Sequence, residues 1–190
     1  ADRNVISGNT NGIVVTGTGS TGTIIRGNYI GADSSGTSDL GNSSTGIYLS
    51  SAATSTIIGG ASADQGNVIS GNDNIGIGID GTSNVQVIGN TIGLSADKTQ
   101  IIGNTNIGIM LLNSASGNAI LQNSIAGSGN LGIDINADGV TTNDSNDGDI
   151  GTNNLQNFPV LATASTNASN QLILTGTLNS TANSFYRIEF

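Results

Sequence analysis

The chain has 190 residues and a formal net charge of −9, a balance that repels a phosphate backbone and sets nucleic acid aside as a partner. Hydrophobic residues make up 35% and aromatic ones 3%, with 29 Gly and a single Pro; this mixture argues against a helical protein, and Gly without a strict period of three excludes collagen. Cysteine is absent, which removes disulfides and thiolate metal sites, and no apolar run reaches membrane-spanning length.

The opening ADRNV reads like ADQGNV at 63–68, as though the chain starts inside a repeat. NVISGN at 4–9 then returns unchanged at 67–72, and a hexapeptide with two Asn, one Gly and no titratable group points to architecture rather than to chemistry. Asn followed by x-Ile recurs at Asn4, Asn28, Asn67, Asn90 and Asn123. A second anchor, Gly-Ile-x-aliphatic, recurs at Gly12, Gly46, Gly76, Gly108 and Gly132 as GIVV, GIYL, GIGI, GIML and GIDI. The Asn-to-Gly distances are 8, 18, 9, 18 and 9, so one turn alternates between short and long. A third segment precedes the next Asn, as TIIRG, TIIGG, VQVIG and NAILQ.

Each unit thus holds three short stretches with the alternation of a strand. None buries its apolar side alone, but stacked as successive turns of a coil each pairs in parallel with its equivalent one turn away. The expectation is an all-β, three-sided parallel β-helix of about five coils over 1–136, rising roughly 24 Å at ~4.8 Å per strand. Its interior rows are Ile6, Ile30, Ile69, Ile92, Ile125; Ile13, Ile47, Ile77, Ile109, Ile133; Val15, Leu49, Ile79, Leu111, Ile135; and Ile25, Ile58, Val87, Ile120. The Asn column is expected to bond coil to coil, because its amide both donates and accepts, and Gly to serve corners that need positive φ.

The succession N-x-I-x-G-N, G-I-x-I, x-x-I-x-G-N over 4–136 resembles the right-handed parallel β-helix repeats of bacterial secreted and surface proteins, a group distantly similar to pectate lyases. The resemblance implies a right-handed coil and an extracellular or cell-surface location. The scaffold hosts lyases, hydrolases, epimerases, adhesins and stalks, so function has to be read from sites. Polysaccharide-cleaving members of that superfamily use carboxylates on Ca²⁺ with an Arg or Lys base, or an Asp group serving as acid and base.

The basic residues are Arg3, Arg26, Lys98 and Arg187, without histidine; Arg26 reads as a solvated surface charge. Asp80 and Asp134 follow the second strand two coils apart, on the order of 10 Å along the axis, near the 6.5–9.5 Å of inverting hydrolases. They are offset by two positions from their Gly anchors, which reads as two solvated aspartates rather than a catalytic pair. Tyr29 and Tyr48 should point outward, where aromatic rings stack on sugars, but on different faces. The long turns 31–45 and 93–106 carry Asp33, Asp39, Asp97 and Lys98 and should stack on one flank as a shelf that shields the coil or binds a partner. Thr16, Thr18, Thr21 and Thr23 cluster once without recurring, so an ice-binding face is not expected.

Residues 137–159 break the repeat as an acidic linker. Asp138, Asn143, Asp144, Asn146, Asp147 and Asp149 offer the oxygens a structural Ca²⁺ would take, without the terminal Glu of an EF-hand, the one Glu being Glu189. After the lone Pro, NQLILTGTL and SFYRIEF read as two strands within 160–190, forming a cap on the last coil or the start of a β-sandwich. The functional expectation is a non-enzymatic extracellular structural or adhesive segment of a larger surface or filament-forming protein, associating with itself or with neighbouring domains. A carbohydrate-binding β-helix is the alternative, with a polysaccharide lyase or glycoside hydrolase behind it.

Overall fold

The computed structural model describes residues 3–189; Ala1, Asp2 and Phe190 lie outside the described residues, and with them the first two positions of ADRNV. Three parallel sheets wrap one aliphatic core. The Asn-x-Ile segments supply the first sheet, from Val5–Ile6 through Tyr29–Ile30, Val68–Ile69 and Thr91–Ile92 to Ser124–Ile125. The Gly-Ile segments supply the second, from Ile13–Thr16 through Ile47–Ser50, Ile77–Asp80 and Ile109–Leu112 to Ile133–Ile135. The third has four strands, Ile24–Ile25, Ile57–Gly59, Gln86–Ile88 and Ala119–Leu121. The chain is therefore a parallel β-solenoid of about four turns with a fifth begun, and no α-helix occurs among the described residues.

Register follows the repeat. Ile6 pairs with Ile30, Ile13 with Ile47 and Ile25 with Ile58, each one turn apart, so the isoleucine rows are vertical. Ile30, Ile47, Ile58, Ile69, Ile77, Ile92 and Ile109 are fully enclosed. The row ends are less covered. Ile6, Ile13, Ile120 and Ile125 are part-buried, and Ile133 is 41% exposed despite its inward place in the row, because no further coil stacks on it.

The corners are closed by amides. Asn4 Nδ2 donates to Asn28 Oδ1 at 2.8 Å, Asn28 to Asn67 at 3.1 Å, Asn67 to Asn90 at 2.9 Å and Asn90 to Asn123 at 3.0 Å. The same Nδ2 groups reach back to the third sheet, Asn67 to the Ile25 carbonyl, Asn90 to Ile58 and Asn123 to Val87. Each side chain so joins the third sheet to the first, where strand pairing lapses. A second ladder closes the next corner: Asn9 donates to Asn42, Asn42 to Asn72 and Asn72 to Asn104. Gly31, at φ +85°, needs its freedom there twice over, since a Cβ would overlap the Ser70 carbonyl.

The boundary at 136 shifts. Asn136 N–H still donates to the Leu111 carbonyl, and after an insertion the 3₁₀ turn Thr152–Leu155 returns to the stack. There Asn153 accepts the Asn118 N–H on Oδ1 and donates its own N–H to Ala115, as a fifth-coil residue would. The stretch 137–151 is thus a loop within the last coil. The strands Val160–Thr166 and Leu172–Thr177 form an antiparallel hairpin, exposed at almost every position; NQLILTGTL thus pairs with the stretch after Pro159 and not with SFYRIEF, which carries no strand over its described residues 184–189. Capping contacts come instead from Thr152–Leu155 and from Glu189, whose carboxylate accepts the Gln122 N–H.

Candidate functional site

Asp80 and Asp134 stand in different rows, because Asp80 pairs with Leu112 whereas Asp134 pairs with Met110. Asp80 accepts the Tyr48 hydroxyl at 2.5 Å and Asn113 Nδ2 at 2.7 Å. Asp134 is not solvated as the sequence suggested; it is 4% exposed. Gly139 folds back to donate its N–H to Asp134 Oδ2 at 3.3 Å, and Oδ1 is enclosed without a partner among the described residues. A hydrolytic pair needs both carboxyls facing one substrate space, and these two do not share one.

Both tyrosines point outward, on separate sheets. The Tyr48 ring lies over Gly78 of the next coil, and its proton is held above the ordinary tyrosine value by the bond to Asp80, by burial and by the Asp80 charge. Tyr29 is covered: Arg3 sits 5.0 Å from its ring centroid and Gly36 packs on its edge. Arg26 is exposed and bridges to the Gly59 carbonyl at 2.9 Å.

The long turns lean together across the short coil between them, joined by Ala96 N–H to the Gly36 carbonyl at 2.8 Å. Each is a small loop closed by an antiparallel bridge, Ala32 to Asp39 and Leu94 to Ile101. Their carboxylates are used internally. Asp33 accepts Ser35 Oγ and the Thr37 and Ser38 N–H groups, and Asp97 accepts Ser95 Oγ with Thr99 N–H and Oγ1. Those donors, led by the serine hydroxyl in each case, hold both carboxyls below the ordinary value. The two loops make the same Asp–Ser pair with the residues exchanged, Asp33–Ser35 against Ser95–Asp97. Asp39 bonds the Gly41 N–H, and Lys98 Nζ reaches Ser124 Oγ at 2.9 Å.

The structure gathers three of the six proposed cation ligands. Asp144, Asp147 and Asp149 each place a carboxylate oxygen within 4.8 Å of the others. Asp138 is instead bonded to Asn136, Asn143 pairs both ways with the Phe158 backbone, and Asn146 donates to Asn179. Asn157, buried at the hub, donates to the Asp144 carbonyl and carboxylate and accepts the Asp144 N–H. Asp149 Oδ1 is enclosed without a partner among the described residues. Its carboxyl is pushed up by desolvation and by the charges of Asp144 and Asp147.

Comparison with protein-family models, with curated proteins and with solved structures finds no match to this chain. Sequence reasoning missed the Asn9–Asn104 ladder, although Gly41-Asn42 and Gly103-Asn104 stand at matching places in the two long turns. It also missed Asn157, whose role as hub has no periodic signal.

Proposed function

We infer that this chain is a rigid, non-catalytic structural or adhesive segment of a larger extracellular or cell-surface protein, its location resting on the resemblance of its repeat. One observation carries the reading: Asp80, Asp33, Asp97 and the ladder asparagines are engaged in hydrogen bonds that fix a loop or join one turn to the next. Asp80 is taken by Tyr48 and Asn113, Asp33 and Asp97 by their own loops, and the asparagines by their ladders. Exposure to a panel of acidic and neutral polysaccharides is expected to release neither unsaturated nor reducing ends. Turnover that disappears in Asp80→Asn or Asp134→Asn would overturn it. Carbohydrate binding is the second reading, favoured by the outward strip of Val14, Tyr48 and Met110 around Gly78; absence of retention on a glycan array removes it.

The Asp144–Asp147–Asp149 cluster serves a structural Ca²⁺ in this reading. The three carboxylates supply hard oxygen ligands, and a cation relieves their mutual repulsion and the enclosed Asp149 oxygen. The raised pKa of Asp149 makes a sign prediction. Without the ion, the contribution of Asp149 to stability is present at low pH and lost as pH rises through its raised value; Ca²⁺ binding runs the other way and weakens as protons compete. Calorimetric titration at two pH values, with Asp149→Asn as control, measures both.

A further inference from the structure

The geometry points to a further Ca²⁺ site, in the turn that leaves the strand Ile133–Ile135, held by Asp134, Asn136 and Asp138 and separate from the Asp144–Asp147–Asp149 cluster. Residues 134–139 read DINADG. This is the first half of a Ca²⁺ loop, D-x-N-x-D-G, with oxygen-bearing side chains at alternate positions followed by a glycine for the sharp turn. The chain folds as that pattern requires. Asn136 and Ala137 take left-handed backbone at φ +84° and +60°, and Gly139, at φ +95°, brings its N–H back to Asp134 Oδ2.

The buried carboxylate is what calls for a ligand. Asp134 is 4% exposed, its Oδ2 is turned into the loop toward Gly139, and its Oδ1 is enclosed without a partner among the described residues. An unpaired carboxylate oxygen in such a place is costly unless a cation meets it. No side chain does so among the described residues. Arg3 lies on Tyr29 and the Gly66 carbonyl, Arg26 on the Gly59 carbonyl, Lys98 on Ser124 and Arg187 on Glu189. The coil has no use for an acid at this position either. The equivalents of Asp134 in the preceding turns are Met110, Gly78, Tyr48 and Val14, so the carboxylate belongs to no ladder. Asp80, by contrast, has both its oxygens bonded.

Asn136 and Asp138 stand exposed above the buried acid, which leaves the cation a path from solvent. Asn136 Nδ2 lies 2.9 Å from Asp138 Oδ2; the same amide, turned over, sets its oxygen beside that carboxylate and its Nδ2 toward the Thr152 hydroxyl now bonded to Oδ1. A hard cation that accepts carboxylate, amide and water oxygens in irregular number fits this set better than Mg²⁺, which demands a near-ideal octahedron. The twelfth position of the pattern is Ser145 rather than Glu. Two carboxylates without a bidentate Glu place the affinity at about 10⁻⁴–10⁻³ M, the range of extracellular modules. Bound there, Ca²⁺ ties the last strand of the second sheet to the loop 137–151 and fixes where that loop leaves the coil.

Calorimetric titration with CaCl₂ after chelator treatment tests the site. Asp138→Ala alters an exposed residue, and Asp134→Asn keeps the buried volume while removing the charge. The unaltered chain is expected to show a binding event in that range which each of these variants weakens about tenfold or more, and which Asp149→Asn leaves in place. Limited proteolysis gives a second readout: Ca²⁺ should protect the stretch 136–142 in the unaltered chain and in Asp149→Asn, but not in Asp138→Ala. A titration without this event overturns the inference, as does unchanged binding in Asp138→Ala and Asp134→Asn. Binding abolished by Asp149→Asn alone also overturns it, while leaving the cluster as the Ca²⁺ site. Loss in both Asp138→Ala and Asp149→Asn makes the two one site and overturns the separation. None of these outcomes touches the non-catalytic reading, which the polysaccharide assay decides.

Discussion

Between Asn28 and Leu121 the strands run only two to four residues, yet Ile30, Ile47, Ile69, Ile77 and Ile92 are fully enclosed. In the C-terminal hairpin the strands run seven and six residues and pair along most of their length, but Leu161 is 52% and Leu172 66% exposed. The hairpin contains as much aliphatic sequence per strand and far more contiguous pairing. What it lacks is a second layer, since a two-stranded ribbon has two open faces and nothing to bury either. In the solenoid, the return of the same tripeptide every turn supplies a neighbour above, a neighbour below and an interior. Burial here comes from repetition in the third dimension, and strand length contributes little.

The widest separation between the two regimes comes from the isoleucine row itself. Ile77→Ala empties a site surrounded on all sides and is expected to cost about 4 kcal/mol in urea unfolding, whereas Ile133→Ala, at the uncovered end of the same row, costs less than about 1 kcal/mol. Equal losses would mean that the last coil is covered in solution, which mass measurement on the same sample would then reveal as association.

A smaller contrast lies in the amide column. Asn67→Ala strips partners from the buried Asn28 N–H and from the Ile25 carbonyl, and orphaned groups of this kind cost roughly 1–3 kcal/mol each, so about 3 kcal/mol is expected. Asn4→Ala, at the start of the column, removes one donor and is expected to cost about 1 kcal/mol. If Asn4 proved as costly as Asn67, position along the column would not govern its value, and the ladder would act as one cooperative unit.

The same contrast explains what was legible beforehand. Ile6, Ile30, Ile69, Ile92 and Ile125 could be aligned from sequence because a solenoid writes its contacts as a period, and the Asn4–Asn123 column was visible for the same reason. Ile133 failed as a core residue because a row read from sequence has no information about whether anything follows it. Asp134 and Asn157 failed differently: both are buried by chain that departs from the repeat, Gly139 in one case and the 143–158 loop in the other, and such contacts have no spacing to read. The return of Thr152–Leu155 to the stack was hidden for that reason as well, since Asn153 imitates a coil residue through its side chain and a left-handed backbone rather than through a strand.

Two tyrosines offer the finest probe of the difference. Tyr48, in the second sheet, donates to the Asp80 carboxylate, which together with partial burial keeps the phenol protonated above its ordinary value. Tyr186, in the tail, is held below that value, chiefly by the Ser180 hydroxyl. An alkaline titration followed by tyrosinate absorbance should therefore show Tyr186 ionising before Tyr48. Because the folded-state value of Tyr48 is raised, its contribution to stability is complete below the ordinary tyrosine range and is lost as pH climbs through the raised value. Asp80→Asn removes both the charge and the strong acceptor, so the late step should move down, whereas Ser180→Ala should move the early step up and leave the late one in place. If Asp80→Asn also shifted the early step, the tail and the coil would be electrostatically coupled, and the solenoid and its C-terminal segment could no longer be treated as independent regimes.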